Sequence, residues 1–171
     1  MNVLKACSEA KVKRVVMVSS VAAVMVNPSW PEGKPMDEDC WSDVDYCRTT
    51  ELQALDYAKR SGLDVVTVCP SLVIGPLLQP TVNASSSVIV DFLKGDNEVK
   101  SKIRNFVDVR DVADSLILVY ETPEVSGRFV QVDDEPSFSS TKLEMLGWKI
   151  KPLEETLRDS VESYKVASVL D

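Results

Sequence analysis

The chain contains no histidine, and that absence removes whole classes of chemistry. Ser-His-Asp and Cys-His sites need an imidazole as base, and the His-containing zinc sites need it as ligand. Cys7, Cys40, Cys47 and Cys69 show no C-x-x-C spacing, so no metal-ligand set is expected and the thiols read as reduced. Chemistry is left to Ser, Tyr, Lys or carboxylates. Among these Ser20 stands out, in the run Ser19-Ser-Val-Ala-Ala-Val24 that follows the apolar Arg14-Val-Val-Met-Val18. By itself, a serine ending a strand satisfies a local backbone group. None of the four tyrosines has a lysine one helical turn on: Tyr46 leads to Thr50, Tyr57 to Ser61, Tyr120 to Glu124 and Tyr164 to Ser168.

Positioning Ser20 falls to a helix, a strand and a loop. Residues Asn2 to Lys11 favour helix, and Val12 to Val18 is β-branched and apolar, the mark of a buried strand feeding the serine turn. Asn27 to Asp45 holds Pro28, Pro31 and Pro35, which block regular ladders, so a long ordered loop is expected. Glu51 to Ser61 has helical spacing (Leu52, Leu55, Ala58) with Gly62 suited to a left-handed cap, and Asp64 to Cys69 reads as a second strand. Two helix-to-strand units in succession imply a parallel sheet, because parallel strands need crossover connections. Val109, Val112, Ala113, Leu116, Ile117 and Tyr120 mark a further helix behind an Asp108 cap. Thr141-Lys-Leu-Glu144 reads as a capping box for a short helix ended by Gly147, and Pro152 as the first residue of a closing helix.

Several stretches together carry a resemblance. Met1-Asn-Val-Leu-Lys-Ala-Cys7, the Ser19–Val24 turn, Val68-Cys-Pro-Ser-Leu-Val-Ile-Gly-Pro76, Ser126-Gly-Arg-Phe129 and Ser139–Gly147 occur in the order found in the extended short-chain dehydrogenase/reductases. The chain resembles their plant cinnamoyl-CoA reductase and dihydroflavonol reductase branch. The resemblance implies a partial Rossmann-like, doubly wound α/β fold lacking its first strands, with residues 1–76 as the second half of the nucleotide-binding domain. Residues 77–171 would form the substrate-side, helix-rich region. It implies NADP as cofactor and a phenylpropanoid or aldehyde as substrate, reduced at a carbonyl or CoA thioester.

By the same resemblance Ser20 is the hydroxyl that hydrogen-bonds the substrate carbonyl, Pro70, Ser71, Leu72 and Val73 form the P-x-x-V segment against the nicotinamide, and Ser85 faces the cofactor. Departures from the pattern are as informative. The family's Tyr-x-x-x-Lys pair supplies the proton through a phenol whose pKa the lysine lowers. Here Cys47-Arg-Thr-Thr50 runs straight into Glu51-Leu-Gln-Ala54, where the family places that pair. Tyr46 and Lys59 fall outside the matching positions and inherit neither role. A second gap falls at Ser126–Phe129, and the glycines nowhere cluster into a dinucleotide turn, which needs backbone amides close to the diphosphate. Weak or absent NADP binding and little or no turnover are therefore expected. The alternative is a non-enzymatic isoform that associates with a full-length relative, an apolar unpaired strand edge inviting such pairing.

The net charge of −8, with Glu32 to Asp45 strongly acidic, disfavours nucleic acid as a partner. No apolar run approaches the length of a bilayer span, and a cytoplasmic chain is expected. Asn83-Ala-Ser85 is formally a glycosylation sequon that such a location leaves idle. Asp108 and Asp111 suit a helix start better than acid/base work, and Trp30, Trp41 and Trp148 read as packing anchors.

Overall fold

The computed structural model describes residues 2–25, 27, 29–42, 50–95, 105–132 and 137–170. Helix α1 (Asn2–Glu9) leads to strand β1 (Val15–Val18), and a 3-10 turn at Val21–Ala23 opens the long loop. Helix α2 (Thr50–Ser61), strand β2 (Val65–Pro70), strand β3 (Leu72–Ile74) and helix α3 (Ala84–Leu93) follow. Strand β4 (Phe106–Asp108), helix α4 (Val109–Glu121), strand β5 (Gly127–Gln131), and helices α5 (Thr141–Glu144) and α6 (Leu153–Val166) complete the order.

β1, β2 and β5 form a parallel sheet in the order β1-β2-β5, while β3 and β4 make a separate parallel pair. β2 is central and every one of its residues is buried, as expected for a parallel strand covered on both faces. Val66 and Val68 pack with Val112 and Val119 of α4, Phe129 and Trp148. Val65 turns to the opposite face with Leu4 of α1 and Ala54 and Ala58 of α2. Helices thus lie on both sides of the sheet, and the α/β class read from the sequence is what the chain adopts.

The boundaries differ in instructive ways. β1 begins at Val15 rather than Val12 because α1 closes through Lys11, whose φ is +53°. Val12 is occupied in that turn, donating its N–H to Cys7 O. Arg14 then anchors the strand start, pairing with Asp64 at 2.7 Å and donating to the carbonyls of Val119, Thr122, Pro123 and Val125 at the end of α4. Gly62 takes the left-handed cap of α2 at φ +71°. Asp108 caps α4 as expected, accepting the Arg110 N–H at 2.8 Å. The expected Thr141–Glu144 capping box is absent: Ser140 occupies the cap position without a side-chain cap bond, its hydroxyl being used on both backbone groups of Val132. Pro152 precedes α6 as its cap rather than serving as its first residue. The long loop is ordered where described: Met36 bridges to Phe138. Tyr46 and Cys47 lie outside the described residues.

Candidate functional site

The parallel register runs from Val15↔Val65 to Val18↔Val68, so the chain leaves β1 and β2 at the same end of the sheet. Open α/β sheets bind ligands outside the carboxyl ends of their strands, and Ser20 and the Pro70–Val73 segment follow those ends of β1 and β2. The two adjacent serines divide their roles. Ser20 is exposed and caps the 3-10 turn, its Oγ accepting the Ala22 N–H at 3.2 Å; the bond uses a lone pair and leaves the hydroxyl proton available. Ser19 turns inward and donates its Oγ–H to Glu51 Oε2 at 2.8 Å.

Pro70 closes β2, the Ser71 N–H donates to Gln131 O and the Leu72 N–H to Asn105 O, and Leu72 and Val73 begin β3. With Leu72 in register with Phe106, Ser71 and Asn105 stand side by side one step earlier. Ser71 Oγ and Asn105 Nδ2 are both buried without a hydrogen-bond partner among the described residues. Ser85 lies half-buried within the first turn of α3, whose cap is Asn83, accepting the Ser86 N–H at 2.8 Å. Val73, Asn83 and Ser86 share a cavity of about 160 Å³ with the Gly75–Gln79 turn. The structure therefore brings the end of the P-x-x-V segment to the start of α3, one residue from Ser85. Gly75 is required here: its φ is +139° and a Cβ would lie 2.8 Å from Val109 Cγ1.

Beneath the strand ends lies a polar cluster that the sequence reading did not identify. Glu51 of α2 and Arg128 of β5 form an ion pair at 2.9 Å with side-chain exposures of only 2% and 4%. Glu51 also accepts from Thr67 Oγ1 at 2.9 Å and, as noted, from Ser19. Arg128 donates to the carbonyls of Glu38, Cys40 and Ala23 and stacks on the Trp41 ring at 3.5 Å. One guanidinium thus ties the loop after β1, the long loop and α2 to the sheet. Burial and the neighbouring Glu51 charge push the Cys69 thiol up to about 12, so at neutral pH it is a protonated packing group, and burial likewise raises Cys40. A glutamate at the start of a helix and an arginine inside a strand were the only sequence signals for this cluster.

α2 carries Tyr57, and the residue one turn on is Ser61, whose hydroxyl donates back to Tyr57 O at 2.8 Å. The Tyr120 side chain is exposed, and the Tyr164 hydroxyl is buried without a hydrogen-bond partner among the described residues. No described tyrosine has a lysine one turn beyond it. Trp148 is a packing anchor, buried and donating its indole N–H to Asp111 O at 3.0 Å. The dinucleotide requirement fails on the same ground of residues present. The six glycines lie in the long loop, at the ends of α2, α3 and α5, after β3 and at the start of β5. None opens a helix to present amides to a diphosphate, so the residues present do not fit a whole dinucleotide.

The parallel sheet with helices on both faces and its strand-end site define a Rossmann-like α/β scaffold. Residues 1–132 match the model of the NAD dependent epimerase/dehydratase family, and the chain belongs to that family. It is 43% identical over 140 residues to cinnamoyl-CoA reductase 1 of Arabidopsis thaliana, covering 75% of this chain and 41% of the relative. It is 34% identical over 206 residues to cinnamoyl-CoA reductase 2 of the same plant, covering 94% of this chain and 62% of the relative. The chain thus spans between 41% and 62% of these relatives. The second alignment is longer than the 171 residues of the chain, so the relative carries internal segments with no counterpart here. Among solved structures, vestitone reductase from alfalfa superposes with a TM-score of 0.82 at 22% identity, over 98% of this chain and 70% of that one. Gre2 of Candida albicans in complex with NADPH gives 0.80 at 22% identity, over 97% and 68%. At that identity the two structures establish the Rossmann-like fold.

Proposed function

We propose that this chain derives from a cinnamoyl-CoA reductase-like, NADP-dependent oxidoreductase that reduces a carbonyl or CoA thioester of a phenylpropanoid or aldehyde, and that the chain itself turns over little or no substrate. The carrying observation is α2. In a competent relative, hydride delivery is matched by proton donation to the carbonyl oxygen from a tyrosine assisted by a lysine one turn away. This chain keeps the hydroxyl that would orient that oxygen, Ser20, but α2 offers Tyr57 followed by Ser61. Pro70, Ser71, Leu72, Val73 and Ser85 retain the nicotinamide-side contacts, and the unpaired Ser71 hydroxyl favours a polar group held there. Without a diphosphate turn much of the cofactor's binding energy is missing, so NADP binds weakly. A cytoplasmic setting accords with the free thiols Cys7, Cys40 and Cys69.

The test is NADPH consumption by purified chain with cinnamoyl-CoA and with an aromatic aldehyde, set against a Ser20→Ala variant. Equal background rates support the reading, and turnover above the variant overturns it. The second reading is a non-enzymatic isoform that binds a full-length reductase, favoured by the exposed flank of β1, where Val18 is 54% exposed. Co-purification with a full-length relative separates it from a free-standing chain.

A further inference from the structure

A second concavity lies at the end of the sheet away from Ser20. It is lined by Val65 and Gly127, the first residues of β2 and β5, and so opens at the amino ends of the strands. Its volume is about 620 Å³, within the roughly 300–1,000 Å³ common for small-molecule sites. One wall is α2 with its cap: Leu55, Ala58, Lys59 and Gly62 all line the cavity, and their spacing of three, four and seven residues puts them on one side of the helix. The long loop contributes Glu38, Asp39 and Trp41, and α5 contributes Lys142.

The charges of the lining balance, with Lys59, Arg128 and Lys142 set against Glu38, Asp39 and Asp64. Most of them are engaged. Arg128 is held by Glu51 at 2.9 Å and covers one face of the Trp41 ring at 3.5 Å, and Asp64 is held by Arg14 at 2.7 Å. Lys142 donates to Ser126 O and Arg128 O, while Glu38 accepts the Val130 N–H. Burial disfavours the Lys142 ammonium, and the Glu38 and Asp39 carboxylates support it. Among the described residues, neither the Lys59 ammonium nor the Asp39 carboxylate takes part in a hydrogen bond or an ion pair. One positive group on α2 and one negative group on the loop are therefore left without a close partner, beside the apolar surfaces of Leu55, Ala58 and Trp41. A lining of zero net charge favours neither a simple anion nor a simple cation, and its two free ends of opposite sign complement a ligand that carries both.

We infer that this cavity is a binding site for an aromatic α-amino acid, with the carboxylate toward Lys59, the ammonium toward Asp39 and the ring against Trp41, Leu55 and Ala58. Both ends then make charge-assisted hydrogen bonds. The ring adds an offset or edge-on contact with the indole, whose other face Arg128 already occupies. Ser20, Pro70–Val73 and Ser85 take no part, so the site stands whether or not the chain turns over substrate.

A nuclear magnetic resonance titration of the isotope-labelled chain with phenylalanine tests the inference. Two analogues run beside it: phenylpropanoate, which lacks the ammonium, and phenethylamine, which lacks the carboxylate. Saturable shifts are expected at the Gly62 and Gly127 amides and the Trp41 indole, with phenylalanine bound about threefold or more tighter than either analogue. Lys59→Met should bring phenylalanine down to the affinity of phenethylamine, and Asp39→Asn down to that of phenylpropanoate. Both side chains are exposed, so the melting curve should be retained. Free leucine, which keeps both charges without the ring, should bind more weakly. The comparison of ligands on the unmodified chain decides the matter even if a variant fails to fold. No saturable shift up to the solubility limit of phenylalanine overturns the inference. So does an analogue or leucine that binds as tightly as phenylalanine, or shifts centred on Ser20 and Ser71 instead.

Discussion

Replacing Arg128 with Met removes one partner of the Glu51 ion pair while keeping most of the side-chain volume. Arg128 and Glu51 are 4% and 2% exposed, so the carboxylate left behind cannot be rescued by solvent. It would keep the hydroxyls of Ser19 and Thr67 and the Cys69 thiol, while the carbonyls of Glu38 and Cys40 lose the guanidinium and Ala23 O is left with the Ser42 N–H. Stranding one member of a buried pair costs about 3–5 kcal/mol, a large share of the roughly 5–15 kcal/mol that holds a domain together. For a chain of this size that corresponds to a fall in melting temperature of roughly 2–4 °C per kcal/mol. The assay is urea unfolding of Arg128→Met, Glu51→Leu and the double variant. The double variant should recover part of the loss, because removing both charges eliminates the stranded carboxylate, giving a coupling energy of about 2 kcal/mol or more. A loss below about 1 kcal/mol for Arg128→Met, or strict additivity in the cycle, would refute the view that this pair fastens the loops to the sheet.

Two further outcomes follow from buried groups. In the native chain Cys7, half-buried, should react with a thiol reagent at neutral pH, while Cys40 and Cys69 become reactive only on unfolding, as mass spectrometry of labelled peptides would show. Burial pulls Asp108 upward, but hydrogen bonds from the Arg110 side chain and backbone and from Thr156 outweigh it and hold the carboxyl below its ordinary 3.8. Its folded pKa being depressed, the stability it contributes is complete above about pH 4 and is lost as pH falls through the lower folded value. Asp111, raised by burial, has the opposite sign and gains stability as pH falls through its raised value. Asp108→Asn should therefore cost about 1–2 kcal/mol at neutral pH and remove part of the acid-side loss, read from urea midpoints between pH 3 and 7.

The legible parts of the sequence were those where one residue type does one job. The β-branched runs at Val15–Val18 and Val65–Val68 and the apolar spacing of α4 announce themselves, because their side chains pack against the faces their periodicity defines. Asp108 and Gly62 punctuate helices as their chemistry requires. β5 was hidden because two of its five residues, Arg128 and Gln131, are polar yet buried. Their partners, Glu51, Asp111 and Ser115, are distant in sequence and satisfy them only in the fold. β3 and β4 are three residues each, too short for any alternation to register. α3 strings its apolar residues together in Val88-Ile-Val90 instead of spacing them by turns. At the site, Ser20 and Pro70–Val73 came from motif order, and the structure placed both at one end of the sheet. The Glu51–Arg128 cluster could not be read, since nothing local distinguishes a buried glutamate at a helix start from a solvated one.

The central claim, a reductase scaffold without its proton-donating pair, is tested most directly by restoring the missing piece. A chain in which the family's Tyr-x-x-x-Lys segment is inserted ahead of Glu51 should gain NADPH-dependent turnover of cinnamoyl-CoA or an aromatic aldehyde over the unmodified chain, and Ser20→Ala in that background should abolish the gain. Turnover by the unmodified chain that Ser20→Ala removes would contradict the account, because the existing residues would then already supply the proton.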